Sequence, residues 1–265
     1  MECSKNGYSL CFEKKFSADT LEKDVTVLEF KKETEKQKIS NGPSFVDETK
    51  KILNDSDYVH YKKENVSVNE NALVLSATNN GDVYYGSAVS VNGVKIKRGL
   101  VEVDVQFPAY MPGVWPRLTL KGKNGTIDTY INFAQIMGVV GKNLCSMEAE
   151  YLDNGEWPFK QNFLHSHRDE WPTSYPEKES EELLSEGAHT FGVELSNEHI
   201  TYYADGNEYC KIHIDNPVFE VFNCEYELVF YLTVGDSETE APDENTLLPC
   251  EMLIKGIRIY GEGEK

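Results

Sequence analysis

The sequence predicts an all-β protein, a sandwich or barrel of antiparallel strands. Two stretches alternate with the period of a strand, Ala72–Ala77 and Gly99–Phe107. In the second, Leu100 opens one face while Val101, Val103, Val105 and Phe107 line the other, because successive strand side chains point to opposite sides. Many further short strands follow at near-regular spacing with turn residues between them, and helix signals are few.

Taken in order, the later strands are read at Arg117–Leu120, Ile127–Phe133, His189–Leu195, His199–Ala204, Glu208–Ile214, Glu227–Val234 and Met252–Tyr260. Ser196-Asn197-Glu198 is a hairpin connection, and Asp205-Gly206-Asn207 is another, with a glycine suited to positive φ. Phe45–Asn54, with Val46, Ile52 and Leu53 on a rough stripe, suits two or three helical turns. Glu177–Glu186 suits a short acidic helix stopped by Gly187. The longest irregular segment, Leu152–Ala188, holds Trp157, Trp171, His165, His167 and Tyr175. Such a segment either contributes to a binding site or packs its own aromatics over a sheet edge. With no internal repeat and no Pro- or Gly-rich linker, residues 1–265 are read as one domain carrying a long loop insertion at about 152–188.

Charge narrows the function. Against 45 acidic residues stand 26 basic ones, a net charge of -19, and no Lys/Arg-rich stripe opposes it. Such a chain repels nucleic acid and anionic membranes, and no nucleic-acid partner is expected. No apolar run approaches the length of a membrane span. Residues 1–7 lack the apolar core of a signal peptide, so the chain either stays inside the cell or has already lost a signal. Cysteines at 3, 11, 145, 210, 224 and 250 form no C-x-x-C pair, which argues against structural zinc, and their even number permits three disulfides. Asn54, Asn65 and Asn124 open glycosylation sequons.

A set of segments in shared order resembles the family-16 glycoside hydrolases and their non-catalytic relatives, the β-1,3-glucan recognition proteins. Phe12-Glu-Lys-Lys-Phe16 is similar to the opening F-x-D/E-x-F segment, and Asn71-Ala-Leu-Val-Leu75 to the strand before the first cleft loop. Tyr85-Gly-Ser-Ala88 resembles the Y-T-S-G turn, Arg98-Gly-Leu-Val-Glu102 the Y-G-x-x-E strand, and Gly113-Val-Trp-Pro116 the G-x-W-P segment lining the cleft. His189–Gly206, Glu227–Gly235 and Met252–Tyr260 resemble the family's later strands. The resemblance spans about residue 8 to 260. It implies a concanavalin-like jelly-roll β-sandwich of two antiparallel sheets, the concave one holding a glycan cleft. It also implies an extracellular protein.

The family's chemistry sits on a strand of pattern G-E-I-D-I-x-E, in which the first Glu is the nucleophile, the Asp tunes it and the second Glu is the acid/base. Retaining hydrolysis needs two carboxylates about 5–5.5 Å apart. One strand face supplies them, with a bulge shifting the last. Aligned on Gly125, this chain reads Gly-Thr-Ile-Asp-Thr-Tyr-Ile-Asn132. Thr126 then stands at the nucleophile, Asp128 is retained, and Tyr130 or Ile131 stands at the acid/base. A threonine hydroxyl without a nearby base is a poor nucleophile. Glu102, Asp104, Glu148 and Glu150 lie on neighbouring strands in the resemblance. Glu148 and Glu150 share a face and are the candidates for substitute carboxylates.

A scaffold that keeps a cleft without catalytic glutamates suits binding of a β-glucan-like polysaccharide, through aromatic faces and fixed polar groups. Trp115 is the first candidate, with core packing as its other reading. Arg117 either hydrogen-bonds hydroxyls, pairs with an anionic sugar, or is neutralised by Asp128. Asp128, Tyr130 and Asn132 alternate on one strand face, and Tyr85, Trp157 and Trp171 lie near the expected cleft. His165 and His167 would share a side of a strand, but a metal site there would need further ligands, and none is expected. No cofactor is implied beyond the calcium ion that family members often carry, for which no acidic loop stands out. Thr119, Leu195 and Tyr231 replace cleft residues of the family. That leaves two rivals to glycan binding: a structural or protein-binding module, favoured if Trp115 is buried, and an atypical hydrolase.

Overall fold

The computed structural model describes residues 4–28, 60–81, 83–139, 142–152, 187–214, 217–235 and 241–261; at 137–139, 142–152, 209–210 and 217–219 the description is of the backbone. Both expected helices, Phe45–Asn54 and Glu177–Glu186, lie outside these residues.

The strands are β1 (Ser4–Lys5), β2 (Tyr8–Lys14), β3 (Val25–Val27), β4 (Val66–Asn69), β5 (Ala72–Asn80), β6 (Val83–Tyr85), β7 (Ser87–Val91), β8 (Gly99–Gln106), β9 (Val114–Asn124), β10 (Ile127–Val139), β11 (Lys142–Leu152), β12 (His189–Leu195), β13 (His199–Ala204), β14 (Asn207–His213), β15 (Tyr226–Val234) and β16 (Cys250–Gly261). They form two antiparallel sheets. One has ten strands, ordered β1-β2-β16-β8-β12-β13-β14, with β5 joining β4 and β6 to β16. The other has six, ordered β11-β10-β9-β15-β7-β3. This is the jelly-roll sandwich that the sequence leads one to expect.

Alternation decides which side chains meet between the sheets. On β8, Val101, Val103 and Val105 enter the shared core, while Leu100, Glu102 and Asp104 face away. Tyr226, Leu228, Phe230, Leu232 and Val234 of β15 meet them from the six-stranded sheet, together with Leu118 and Leu120 of β9 and Ile131 and Phe133 of β10. Each such side chain, fully buried, is stabilised by about 1.5–3 kcal/mol relative to exposure, so a one-residue slip of register would be very costly.

The Asp205-Gly206 hairpin forms as expected, with φ of 48° and 78°; two successive positive values are what a two-residue turn between twisted strands requires. Cys11, Cys224 and Cys250 are free thiols. Strands β1–β4, β6, β7 and β11 are additional to those read from the sequence. Most of these are short, and some sit at sheet edges, where alternation gives little signal.

Candidate functional site

The outer face of the six-stranded sheet is built from every second residue of β10, β9 and β15. On β9, burial of Leu118 and Leu120 turns Trp115, Arg117, Thr119, Lys121 and Lys123 outward. On β15 the core row leaves Glu227, Val229, Tyr231 and Thr233 outward.

Strand β10 has a bulge. Against β9 its register runs from Asn132↔Thr119 to Ala134↔Leu118, skipping Phe133. Against β11 it jumps from Asn132↔Glu148 to Gln135↔Ser146. The extra residue lets Phe133 and Ala134 both enter the core and returns Gln135 to the outer face. Asp128, Tyr130, Asn132 and Gln135 therefore share one face.

Polar groups on this face satisfy one another. The Trp115 indole N–H donates to Gln135 Oε1 at 3.1 Å, and Thr119 Oγ1 donates to Asn132 Oδ1 at 2.7 Å; all four residues are buried. The Tyr61 and Thr233 hydroxyls lie 2.9 Å apart. Lys123 Nζ lies 3.9 Å from Asp128, a loose and mostly exposed pair.

Cations sit on the aromatic rings. The Arg117 guanidinium carbon lies 3.8 Å from the Trp115 ring centroid and 4.8 Å from that of Tyr231, within cation–π reach of both rings. Tyr231 in turn meets Tyr61, with centroids 6.2 Å apart. Lys121 Nζ is 5.7 Å from the Tyr130 centroid, and Lys62 Nζ is 3.1 Å from that of Tyr85. Burial holds the Tyr231 phenol protonated far above its ordinary range, although the charge of Arg117 opposes this.

Tyr85 closes β6 one residue before Gly86, whose backbone bridges to Tyr61. A side chain at Gly86 would strike the Leu232 carbonyl, so this close approach of three segments requires glycine.

Several expectations are corrected by this geometry. Thr126 lies in the exposed turn between β9 and β10, and the strand begins after it. Ile131 is 0% exposed in the sandwich core and does not reach the outer face. Trp115 does face outward, but it is 3% exposed and its ring is covered by Arg117 rather than open to a ligand.

Glu102 and Asp104 do not neighbour β10. They lie on β8 in the other sheet, where Arg258 donates to both and Lys5 pairs with Glu102. Glu148 and Glu150 are opposite Asn132 and Tyr130 in the β10–β11 register. Trp157, Trp171, His165 and His167 lie outside the described residues. Among those described, no group of three or more His, Cys, Asp or Glu could hold a metal ion, and no helix is long and apolar enough to cross a membrane. Gln135 and Tyr61 were not singled out from the sequence, nor was the hydrogen bond that joins the two candidates Thr119 and Asn132. For Gln135 the signal existed in its spacing from Tyr130, but the bulge was needed to see it.

No family profile matches the sequence, and no curated protein matches it. Solved structures do match. An endo-β-1,3-glucanase from Pyrococcus furiosus aligns with a TM-score of 0.65 at 16% identity, over 98% of this chain and 97% of that one. A glycoside hydrolase family 16 endo-glucanase from Bacteroides ovatus aligns at 0.59 and 15%, over 94% and 99%. The catalytic domain of a laminarinase from Thermotoga petrophila aligns at 0.57 and 22%, over 78% and 83%. At these identities the likeness is one of fold: the chain has the family-16 jelly roll.

Proposed function

We propose that this chain, with the fold of the family-16 glycoside hydrolases, is a non-hydrolytic domain that binds a β-linked polysaccharide on the outer face of its six-stranded sheet. The observation that carries the reading is the β10 bulge. In the family pattern E-I-D-I-x-E, the three functional positions are spaced 0, +2 and +5. Tyr130, Asn132 and Gln135 have that spacing, share one face, and place the bulge before the last member. The frame is therefore set by Tyr130 rather than by Gly125. In it, Asp becomes its neutral isostere Asn and the acid/base Glu becomes its neutral isostere Gln. The nucleophile becomes a tyrosine.

An amide can neither donate a catalytic proton nor accept one near neutral pH, whereas it hydrogen-bonds hydroxyls well. The replacements thus remove acid–base function and keep polarity and shape. Asn132 and Gln135 are buried beneath the face and hold Thr119 and Trp115 in place. Contact with a ligand falls to the partly exposed residues Tyr130, Tyr231, Tyr61 and Arg117.

The test is affinity electrophoresis against a polysaccharide panel, paired with an assay for new reducing ends. The expected result is retention by at least one polysaccharide, reduced in Tyr130→Ala, without cleavage. Cleavage that disappears in Glu148→Gln or Glu150→Gln would overturn the reading, since their register places them opposite Asn132 and Tyr130.

A second reading, a protein-binding module, is favoured by the covered Trp115 ring. Absence of retention across the whole panel would select it.

A further inference from the structure

Strands β13 and β14 form a hairpin closed by the Asp205-Gly206 turn, and its open end carries two histidines. His199 opens β13, His213 closes β14, and the register places them directly opposite each other. One backbone bond fixes what kind of pair they make. The Ile214 N–H donates to the Glu198 carbonyl at 2.7 Å, so positions 198 and 214 are a hydrogen-bonded pair. Antiparallel pairs alternate in kind. Positions 199 and 213 are therefore a non-hydrogen-bonded pair, in which facing Cα atoms stand about 4.5 Å apart and side chains are closest.

Parity sets the direction of the two rings. Ile200 and Ile212, their neighbours in sequence, pack toward the core, so both imidazoles point to the outer side of the ten-stranded sheet, on the opposite face of the sandwich from the candidate cleft. The ring centroids lie 6.5 Å apart, with the planes at 68°. Among the described residues neither imidazole has a hydrogen-bond or ion-pair partner, and their ring contact is with each other. His213 is exposed and His199 half-buried. Lys211, on the same face of β14, is paired with Glu208 at 3.4 Å.

We propose that His199 and His213 form a chelating site for a divalent transition-metal ion of the imidazole-seeking class, such as zinc(II) or nickel(II). The site goes beyond the glycan-binding reading and does not depend on it. Imidazole nitrogen suits these ions, whereas oxygen ligands suit magnesium and calcium. Metal–nitrogen bonds of about 2.0–2.1 Å put the two coordinating nitrogens about 3 Å apart. From the observed separation the rings have to close by roughly 1–2 Å, which rotation of the exposed His213 supplies, because the terminal torsion of histidine is broad. The strand pairing has already brought the two backbones to the closest spacing a sheet allows.

Once one imidazole has bound the ion, the second meets it at high effective concentration, so the pair holds it more tightly than either ring alone. Two protein ligands fall short of the full set that a closed structural site uses, and among the described residues no third His, Cys, Asp or Glu joins them. Water completes the coordination, and the ion exchanges. The net charge of -19 favours the approach of a cation. The bound ion pins the open end of a hairpin whose β14 ends the strand order of its sheet, so binding to the native state alone stabilises the fold.

The experiment titrates the full chain with nickel(II) and with zinc(II) by isothermal titration calorimetry, and records thermal melts with and without each ion. The variants are His199→Gln and His213→Gln, with His165→Gln/His167→Gln as a control for the other histidines close in sequence. Wild type should show a site that weakens tenfold or more in each single variant, because each loses the chelate. A rise in melting temperature of a few degrees at saturating metal should disappear in the same variants. The control should keep both the site and the rise. Melts without metal check that each variant folds; should His199→Gln fail, the exposed His213→Gln carries the test.

Absence of binding in wild type overturns the proposal. So does a single variant that keeps the affinity and the melting shift of wild type, or loss of the site in the His165→Gln/His167→Gln control.

Discussion

The indole N–H of Trp115 donates to the side-chain oxygen of Gln135 at 3.1 Å, and both residues are buried. The bond ties the residue following the β10 bulge to the neighbouring strand, so the bulge and the tryptophan hold each other in place. Gln135→Leu removes the acceptor and leaves a buried donor unmatched, a cost of about 1–3 kcal/mol. Trp115→Phe/Gln135→Leu removes both partners, so its loss should be smaller than the sum of the two single losses. Urea unfolding of the four proteins measures this. Strict additivity would show that the bond contributes nothing to stability.

The bulge also explains how much of the site was legible in the sequence. Alternation reads a strand's faces correctly until a residue is inserted, and it did so for Val101, Val103 and Val105. Asp128, Tyr130 and Asn132 precede the insertion, and their shared outward face is as expected. Beyond it the parity changes. Gln135 returns to the face, while Ile131, entertained for a catalytic position, is a core residue. A bulge is defined by what the neighbouring strands pair with, and a single strand's sequence does not contain that. The frame proposed above has the same origin: Gly125 is a hairpin glycine with φ of 63° and lies in the turn before β10. Arg117 was legible as a cation near the cleft. Its approach to Tyr231 depends on pairing Tyr231↔Arg117 across β15 and β9, a contact between residues more than a hundred positions apart.

The opposite side of the sandwich makes a prediction about acid. Arg258 donates from two nitrogens to the two Asp104 oxygens at 2.6 and 2.8 Å, and Thr190 adds a third bond at 2.7 Å. The Arg258 hydrogen bonds hold the Asp104 carboxyl below its ordinary value of 3.8, against a smaller opposing effect of burial. A carboxylate depressed on folding stabilises the native state fully above the unfolded pKa. That contribution is lost as pH falls through the lower, folded pKa. Asp104→Asn should therefore be less stable than wild type by ~1–2 kcal/mol at neutral pH, a figure discounted because the pair is partly exposed. The difference should hold from about pH 7 to pH 5 and shrink below about pH 4. Thermal melts of both proteins across this range test it, and a gap that is constant down to pH 2 would remove the ionic explanation.

Asn65 opens a sequon, and its position decides whether the sequon can be used. Asn65 is 7% exposed, and its amide donates to Thr78 Oγ1 at 3.2 Å and to the carbonyls of Tyr85 and Gly86 at 3.0 and 3.2 Å. Those two carbonyls belong to the segment whose close packing on Leu232 brings Tyr85 and Tyr61 together. A glycan on this nitrogen would occupy the place of the chain it holds, so native folding and modification here exclude each other. Expressed in a glycosylating host, folded protein should carry no glycan at Asn65, as peptide mass mapping would show. Asn65→Ala should be destabilised by about 1–3 kcal/mol, since it strips a donor from the part-buried Tyr85 carbonyl and one of two donors from the buried Gly86 carbonyl. Thr126→Ala, at an exposed position, removes the sequon at Asn124 instead and should change stability by about 0.5 kcal/mol or less. A glycan found on Asn65 of folded protein would mean that the β6–β7 corner packs differently from the structure described, and the arrangement of Tyr61 beside Tyr231 would fall with it.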